Sequence, residues 1–271
     1  MPLHLIIGFD CLSAQLKVLI CFRSIYLLKE IFGQSLNSEK GPYTWPELKE
    51  LNLSCNYLTS LDQSLKNIPN VEILHLSQNH IKDADGIQVL KNLIFVNLNY
   101  NELEHIPVFN ISSCRSLSKL YLKNNMLEDL EGIDCLFNLE ELDVSNNLLS
   151  SYHVLNPLDK LKALKVLTLE GNPLYFHSHH QILVASYINQ DALMNGFQLN
   201  GKTLLPTQAM DLPVEDVDGT GILINIFLSG TQQMSSLIGH VNCSEGPCGL
   251  MNFIRKSFLS GEMSVTLPSH Q

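Results

Sequence analysis

A nine-residue pattern, Leu-x-x-Leu-x-Leu-x-x-Asn, recurs six times through the middle of this chain, and its spacing constrains the fold more than any other feature. The copies read LKELNLSCN (Leu48 to Asn56), VEILHLSQN (Val71 to Asn79), LIFVNLNYN (Leu93 to Asn101), LSKLYLKNN (Leu117 to Asn125), LEELDVSNN (Leu139 to Asn147) and LKVLTLEGN (Leu164 to Asn172). Successive asparagines lie 23, 22, 24, 22 and 25 positions apart. Within each copy the Leu-x-Leu alternation places two apolar side chains on one face of a short strand. One such strand cannot bury that face alone, whereas stacked copies close each other's core.

This period and pattern are those of a leucine-rich repeat. The asparagine follows the strand, where the chain turns. Its amide both donates and accepts, so it can satisfy backbone groups of its own turn and of the neighbouring repeat. The expected ladder is Asn56, Asn79, Asn101, Asn125, Asn147 and Asn172. The other half of each repeat carries apolar residues every third position, as in Leu127, Leu130, Ile133, Leu136 and Leu139, and in Ile81, Ala84, Ile87, Leu90 and Leu93. That spacing suits a 3₁₀ or short helical convex side. The expected fold class is therefore an α/β leucine-rich-repeat solenoid, with short parallel strands on the concave face and a C-terminal helical cap.

The organisation expected along the chain is degenerate N-terminal repeats over 1–40, six repeats over 41–172, the cap over 173–205 and a low-order tail over 206–271. LKVLICFRS (Leu16 to Ser24) keeps the repeat pattern with Cys21 and Ser24 in the third apolar and Asn places, and the segment before it reads as half a repeat. The chain is thus expected to start mid-repeat, as a fragment would. After Asn172, NPLYFHSHHQILVASYI predicts a turn at Pro173 and a helix from about Ser178 to Ile188. Asn200-Gly201 then predicts a tight turn. Beyond Pro206 the periodicity stops.

The formal net charge of −10 and the scatter of the basic residues argue against a nucleic-acid surface. Seven scattered cysteines without clustered end caps fit reduced thiols and a cytoplasmic protein, with Cys21, Cys114 and Cys135 filling core or turn positions. The first residues have no basic start and no small-residue cleavage site, so no signal peptide is predicted. No apolar run approaches the ~20 residues of a membrane helix, so no direct membrane insertion is expected.

No catalytic motif, cofactor or metal site is expected. His177, His179 and His180 lack a nearby carboxylate or Cys at ligand spacing and are read as cap residues facing solvent. Cys243 and Cys248 have no partner pair. Function is expected on the concave sheet, at positions that period two keeps out of the core. Ile73, Phe95, Tyr100 and Tyr121 form the centre of the candidate protein-binding surface, with His75, Asn97, Lys119, Lys123 and Asp143 beside them. An aromatic patch rimmed by charge has the composition of a protein-binding hot spot.

The segment LEGNPLYFHSHH…ASYI…GFQLNGKTL resembles the region after the last repeat in the serine/threonine-protein kinase 11-interacting protein family, cytoplasmic leucine-rich-repeat scaffolds. Leu169 to Asn172, Pro173, Leu174, Phe176, His177, His180, Tyr187, Gly196, Phe197, Leu199, Gly201 and Lys202 carry the match. Asn200 stands where the family has Asp, and Gln181 where it has Arg. The resemblance spans about residues 2–210, and the 206–271 tail does not resemble the family's long C-terminal region. It implies an adaptor that binds a serine/threonine tumour-suppressor kinase and sets its cytoplasmic location, with a link to a Smad transcription factor. A phosphatase-regulatory subunit and a membrane-trafficking adaptor are the alternatives that repeats of this subclass leave open.

Overall fold

A computed structural model describes residues 17–21, 25–32 and 44–204. Among these described residues nine strands form one sheet in chain order: β1 (Val18–Ile20), β2 (Glu50–Asn52), β3 (Ile73–His75), β4 (Phe95–Asn97), β5 (Lys119–Tyr121), β6 (Glu141–Asp143), β7 (Val166–Thr168), β8 (Gln198–Leu199) and β9 (Lys202–Thr203). Strands β1 to β8 pair in parallel and without slippage, so that Leu51, Leu74, Val96, Leu120, Leu142, Leu167 and Leu199 form one aligned row. Each member of that row is buried, while its two strand neighbours in β2 to β4, β6 and β7 are half-buried on the opposite face. A register slip of one residue would turn the apolar row outward, which is why three-residue strands suffice to fix the pairing.

Each strand hands over to a turn built around the same geometry. The residue just before the ladder asparagine has a left-handed backbone: Cys55, Gln78, Tyr100, Asn124 and Asn146 lie at φ between 53 and 59°, and Gly171 at 75°. The buried asparagine that follows ties two repeats together. Asn101, for example, donates from Nδ2 to the carbonyls of Leu98 (3.0 Å) in its own repeat and Leu76 (3.0 Å) in the preceding one. Its Oδ1 accepts the Ile81 N–H at 3.0 Å. Asn56, Asn79, Asn125, Asn147 and Asn172 repeat this arrangement.

The convex side is made of short helical turns, as the i, i+3 spacing requires. 3₁₀ turns lie at Gln63–Asn67, Asp85–Val89, Ile133–Cys135 and Tyr152–Lys160, and an α-turn, α2, at Ser113–Ser116. An earlier turn, α1, spans Lys29–Phe32. Asp62 and Ser151 cap two of the 3₁₀ turns by accepting the Ser64 and His153 N–H groups. The sequence Gly-Ile occurs on two of these turns for different reasons. At Gly86 a Cβ would lie 2.2 Å from the Leu61 carbonyl oxygen of the preceding repeat, whereas Gly132 has open space but a φ of 89°.

After the last full repeat come a 3₁₀ turn (Pro173–Phe176), α3 (His180–Ala185) and α4 (Gln190–Met194). The helix expected from Ser178 to Ile188 is shorter, His180–Ala185, and beyond that range Asn189 starts a second one that the sequence pattern does not announce. It accepts the Asp191 N–H at 2.9 Å and donates to the Asp159 carbonyl at 2.6 Å. Asn200 and Gly201, both at positive φ, form the turn that reverses β8 into β9. Asn200 accepts the Leu169 N–H at 2.7 Å, a role an aspartate would also fill. The 206–271 tail, and residues 1–16, 22–24 and 33–40 of the expected N-terminal repeats, lie outside the described residues.

Candidate protein-binding surface

On the concave face, β3, β4 and β5 bring three rings into one chain of contacts. The register pairs His75 with Asn97 and Asn97 with Tyr121, and sets Ile73 and Phe95 beside them. The His75 and Phe95 ring centroids are 5.0 Å apart and tilted by 48°. Phe95 meets Tyr121 edge-on, at 5.3 Å and 86°. The edge-on Phe95–Tyr121 contact is an arrangement that aromatic quadrupoles favour. The rings remain half-buried, so their outer faces are open to a ligand.

Charge frames the rings on both sides. Glu141 on β6 accepts the Tyr121 hydroxyl at 2.7 Å and pairs with Lys119 at 2.8 Å. Burial works against the Glu141 carboxylate, but the hydrogen bonds from Lys119 and Tyr121 outweigh it and hold its carboxyl below the ordinary range. Burial, then the bond to Glu141, pushes the Tyr121 phenol up. The bond to Glu141 raises Lys119. All three therefore keep one protonation state across the neutral range, and the rim is a fixed dipole beside the rings. On the other flank the His75 Nε2 lies 3.8 Å from Glu50.

The remaining residues expected on this surface have other tasks or places. Asn97 and Asp143 turn their Oδ1 atoms to their own chain, accepting the Asn99 and Ser145 N–H groups at 3.0 Å each. Asn52 does the same for Ser54 at 2.9 Å, so this is a local turn device that recurs in the sheet. Lys123 is half-buried at the start of its turn, and its N–H is held by Asn99 Oδ1 at 2.8 Å. Tyr100 does not join the ring chain. It occupies the left-handed turn position, is exposed, and has no partner among the described ring contacts. Alternation counted along the strand does not reach past the strand's end at Asn97, so it does not place Tyr100.

A second aromatic row escaped the sequence reading. Tyr26 stacks on Tyr57 at 5.0 Å and 13°, and Tyr57 on His80 at 6.3 Å and 16°. Tyr57 and His80 each directly follow a ladder asparagine, so aligning the repeats at that position would have found them. Met126 and Leu148 hold the same position in later repeats and are also exposed.

The three cap histidines do not all face solvent. His180 is buried, with its Nδ1 3.2 Å from the Tyr152 hydroxyl and 3.3 Å from the Leu174 carbonyl. Tyr152 and Tyr175 contact its ring. Helical phase explains the difference: α3 starts at His180, whose side chain falls on the face that covers the last repeat. Burial lowers its pKa, and the neighbouring His177 lowers it further, against a hydrogen bond to Leu174 that raises it. Below the ordinary histidine pKa the unfolded chain takes up a proton that the folded cap resists, so stability present above that pH is lost as pH falls. The melting temperature is expected to drop more between pH 7.5 and 5.5 in the native chain than in His180→Gln, as scanning calorimetry would read. Among the described residues no group of three or more His, Cys, Asp or Glu side chains is placed to hold a metal, and no helix is long and apolar enough to cross a membrane.

A family model for leucine-rich repeats (two copies) matches residues 46–89. The fold is a leucine-rich-repeat solenoid. Over 206 residues the chain is 37% identical to human serine/threonine-protein kinase 11-interacting protein, an alignment that takes in 75% of this chain and 19% of that protein. The chicken protein of the same name is 36% identical over 213 residues, 78% of this chain and 20% of its own length. The chain thus spans about a fifth of the length of these relatives. Among solved structures, a leucine-rich-repeat protein of Leptospira interrogans is 26% identical with a TM-score of 0.44, covering 61% of this chain and 41% of that one.

Proposed function

We propose that this solenoid is a non-catalytic scaffold that docks a serine/threonine kinase on its concave face and influences that kinase's cytoplasmic location. The observation that carries the reading is the unbroken contact of His75, Phe95 and Tyr121 across three adjacent strands, framed by the Lys119–Glu141 pair. Aromatic groups already packed against one another lose little conformational freedom on binding, and they bury large areas. The partner class is supported by the relatives, whose name declares a kinase interaction. A Smad transcription factor is a second protein for which the same surface is a candidate.

The test is a pull-down with the full chain from cytosol, followed by affinity measurement with the retained kinase. Phe95→Ala/Tyr121→Ala is expected to weaken binding by more than about tenfold, the loss of a modest hot spot. Tyr57→Ala, on the separate aromatic row, is expected to leave it unchanged. Full retention by the double variant would exclude the concave site, and loss in Tyr57→Ala alone would move the site to the Tyr26–Tyr57–His80 row. Retention of a phosphatase or a trafficking component in place of a kinase would reassign the partner class.

A further inference from the structure

The convex side holds two thiols in contact. Cys114 sits on α2 and Cys135 ends the next convex turn, Ile133–Cys135, so they belong to consecutive repeats. Their sulfurs are 3.1 Å apart, and both are free thiols. Cys114 is buried, its Sγ 4.0 Å from the Phe109 carbonyl; Cys135 is half-buried, its Sγ 3.2 Å from the Gly132 carbonyl. A disulfide needs a sulfur separation of about 2.05 Å, so closure asks for a further approach of about 1 Å. The stacking of two consecutive repeats is what brings the two sulfurs this close.

We infer that Cys114 and Cys135 form a reversible disulfide site that staples two consecutive repeats, with a low-molecular-weight disulfide such as oxidised glutathione as the oxidant. Cys135, the more accessible, attacks one sulfur of the oxidant as its thiolate. A mixed disulfide forms and one glutathione thiolate leaves. Cys114 then attacks the Cys135 sulfur, the Cys114–Cys135 bond forms and the second glutathione leaves. The two protons lost by the protein thiols end on the two glutathione thiols; the protein is oxidised by two electrons and the oxidant reduced by two. Burial, and then the adjacent Cys114 sulfur, push the Cys135 thiol up to about 12. The thiolate fraction at neutral pH is therefore small and the first step slow, so the pair stays reduced through brief exposure to oxidant.

The experiment is equilibration of the full chain in reduced–oxidised glutathione buffers, followed by acid quench and peptide mapping by mass spectrometry. The expected product is a peptide pair linked through Cys114 and Cys135, reversed by dithiothreitol and absent in both Cys135→Ser and Cys114→Ala. The linked form is expected to melt higher by on the order of 5–10 °C, because the bridge restricts the unfolded chain. Equal melting of reduced native and reduced Cys135→Ser chains would show that the variant folds. A stable glutathione adduct on Cys135 that never resolves, pairing of either cysteine with a different one, or no oxidation after full equilibration would each overturn the assignment.

Discussion

Replacing Asn125 with leucine is expected to lower the stability by roughly 3–5 kcal/mol, the sum of several buried backbone groups left without partners. Asn125 Nδ2 donates to the carbonyls of Leu98 (3.0 Å) and Leu122 (2.9 Å), and Oδ1 accepts the Leu103 N–H at 3.0 Å. Leucine fills the space and serves none of them. All three groups lie under the sheet edge, and two belong to the preceding repeat, so the damage crosses a repeat boundary. Urea denaturation measures it directly. Lys162→Ala is the matched control: its contact with Asp191 is 3.4 Å long and both side chains are well exposed, so a change within about 0.5 kcal/mol is expected. Equal midpoints for the two variants would remove the ladder from the account of stability.

Gly86→Ala is the second large effect. The added Cβ would lie 2.2 Å from the Leu61 carbonyl oxygen and 2.5 Å from its carbon, and these are backbone atoms that cannot rotate away. The two convex turns must separate, at a cost of about 3 kcal/mol, the upper part of the usual range for overpacking. Gly132→Ala meets no neighbour and is strained only by its φ of 89°, which costs about 1 kcal/mol. A larger loss at Gly132 than at Gly86, in thermal melts of the two variants, would show that backbone conformation rather than inter-repeat approach limits the convex side.

The two glycines also show what the sequence reveals and what it hides. Leu-x-Leu alternation and the regular asparagine predict strands, stacking and the side of the core, because these depend on period alone. The every-third apolar spacing likewise predicts 3₁₀ turns. Period does not distinguish a glycine needed for close approach from one needed for its backbone angle, since that depends on the repeat packed beside it. The left-handed positions were hidden for a related reason. Cys55, Gln78 and Tyr100 are not turn-forming residues, and their conformation is imposed by the strand before and the anchored asparagine after. Tyr100 therefore sits in the turn after β4 and not on the strand itself.

The same distinction applies to the concave surface. Which side chains share the sheet face follows from alternation, and His75, Phe95 and Tyr121 are legible on that basis. Which of them are engaged elsewhere does not. Asn97 and Asp143 read as open recognition groups, yet each turns one oxygen to its own backbone. Glu141, in contrast, becomes the hub of the surface only when the register places it beside Lys119 and within reach of Tyr121. The contact of Cys114 with Cys135, and the burial of His180, likewise arise between repeats or between helix and repeat.

Strands β1 to β8 all run the same way, and a sheet of that kind carries at its end the template for one more parallel strand. The reversal at Asn200-Gly201 withdraws that template. The last strand among the described residues, β9, is two residues long, antiparallel, and exposed at Lys202 and Thr203. The register in which one solenoid could be prolonged by a second copy therefore ends at β8. Among the described residues, head-to-tail fibre growth, the standing hazard of an open repeat stack, finds no matching parallel edge at that end.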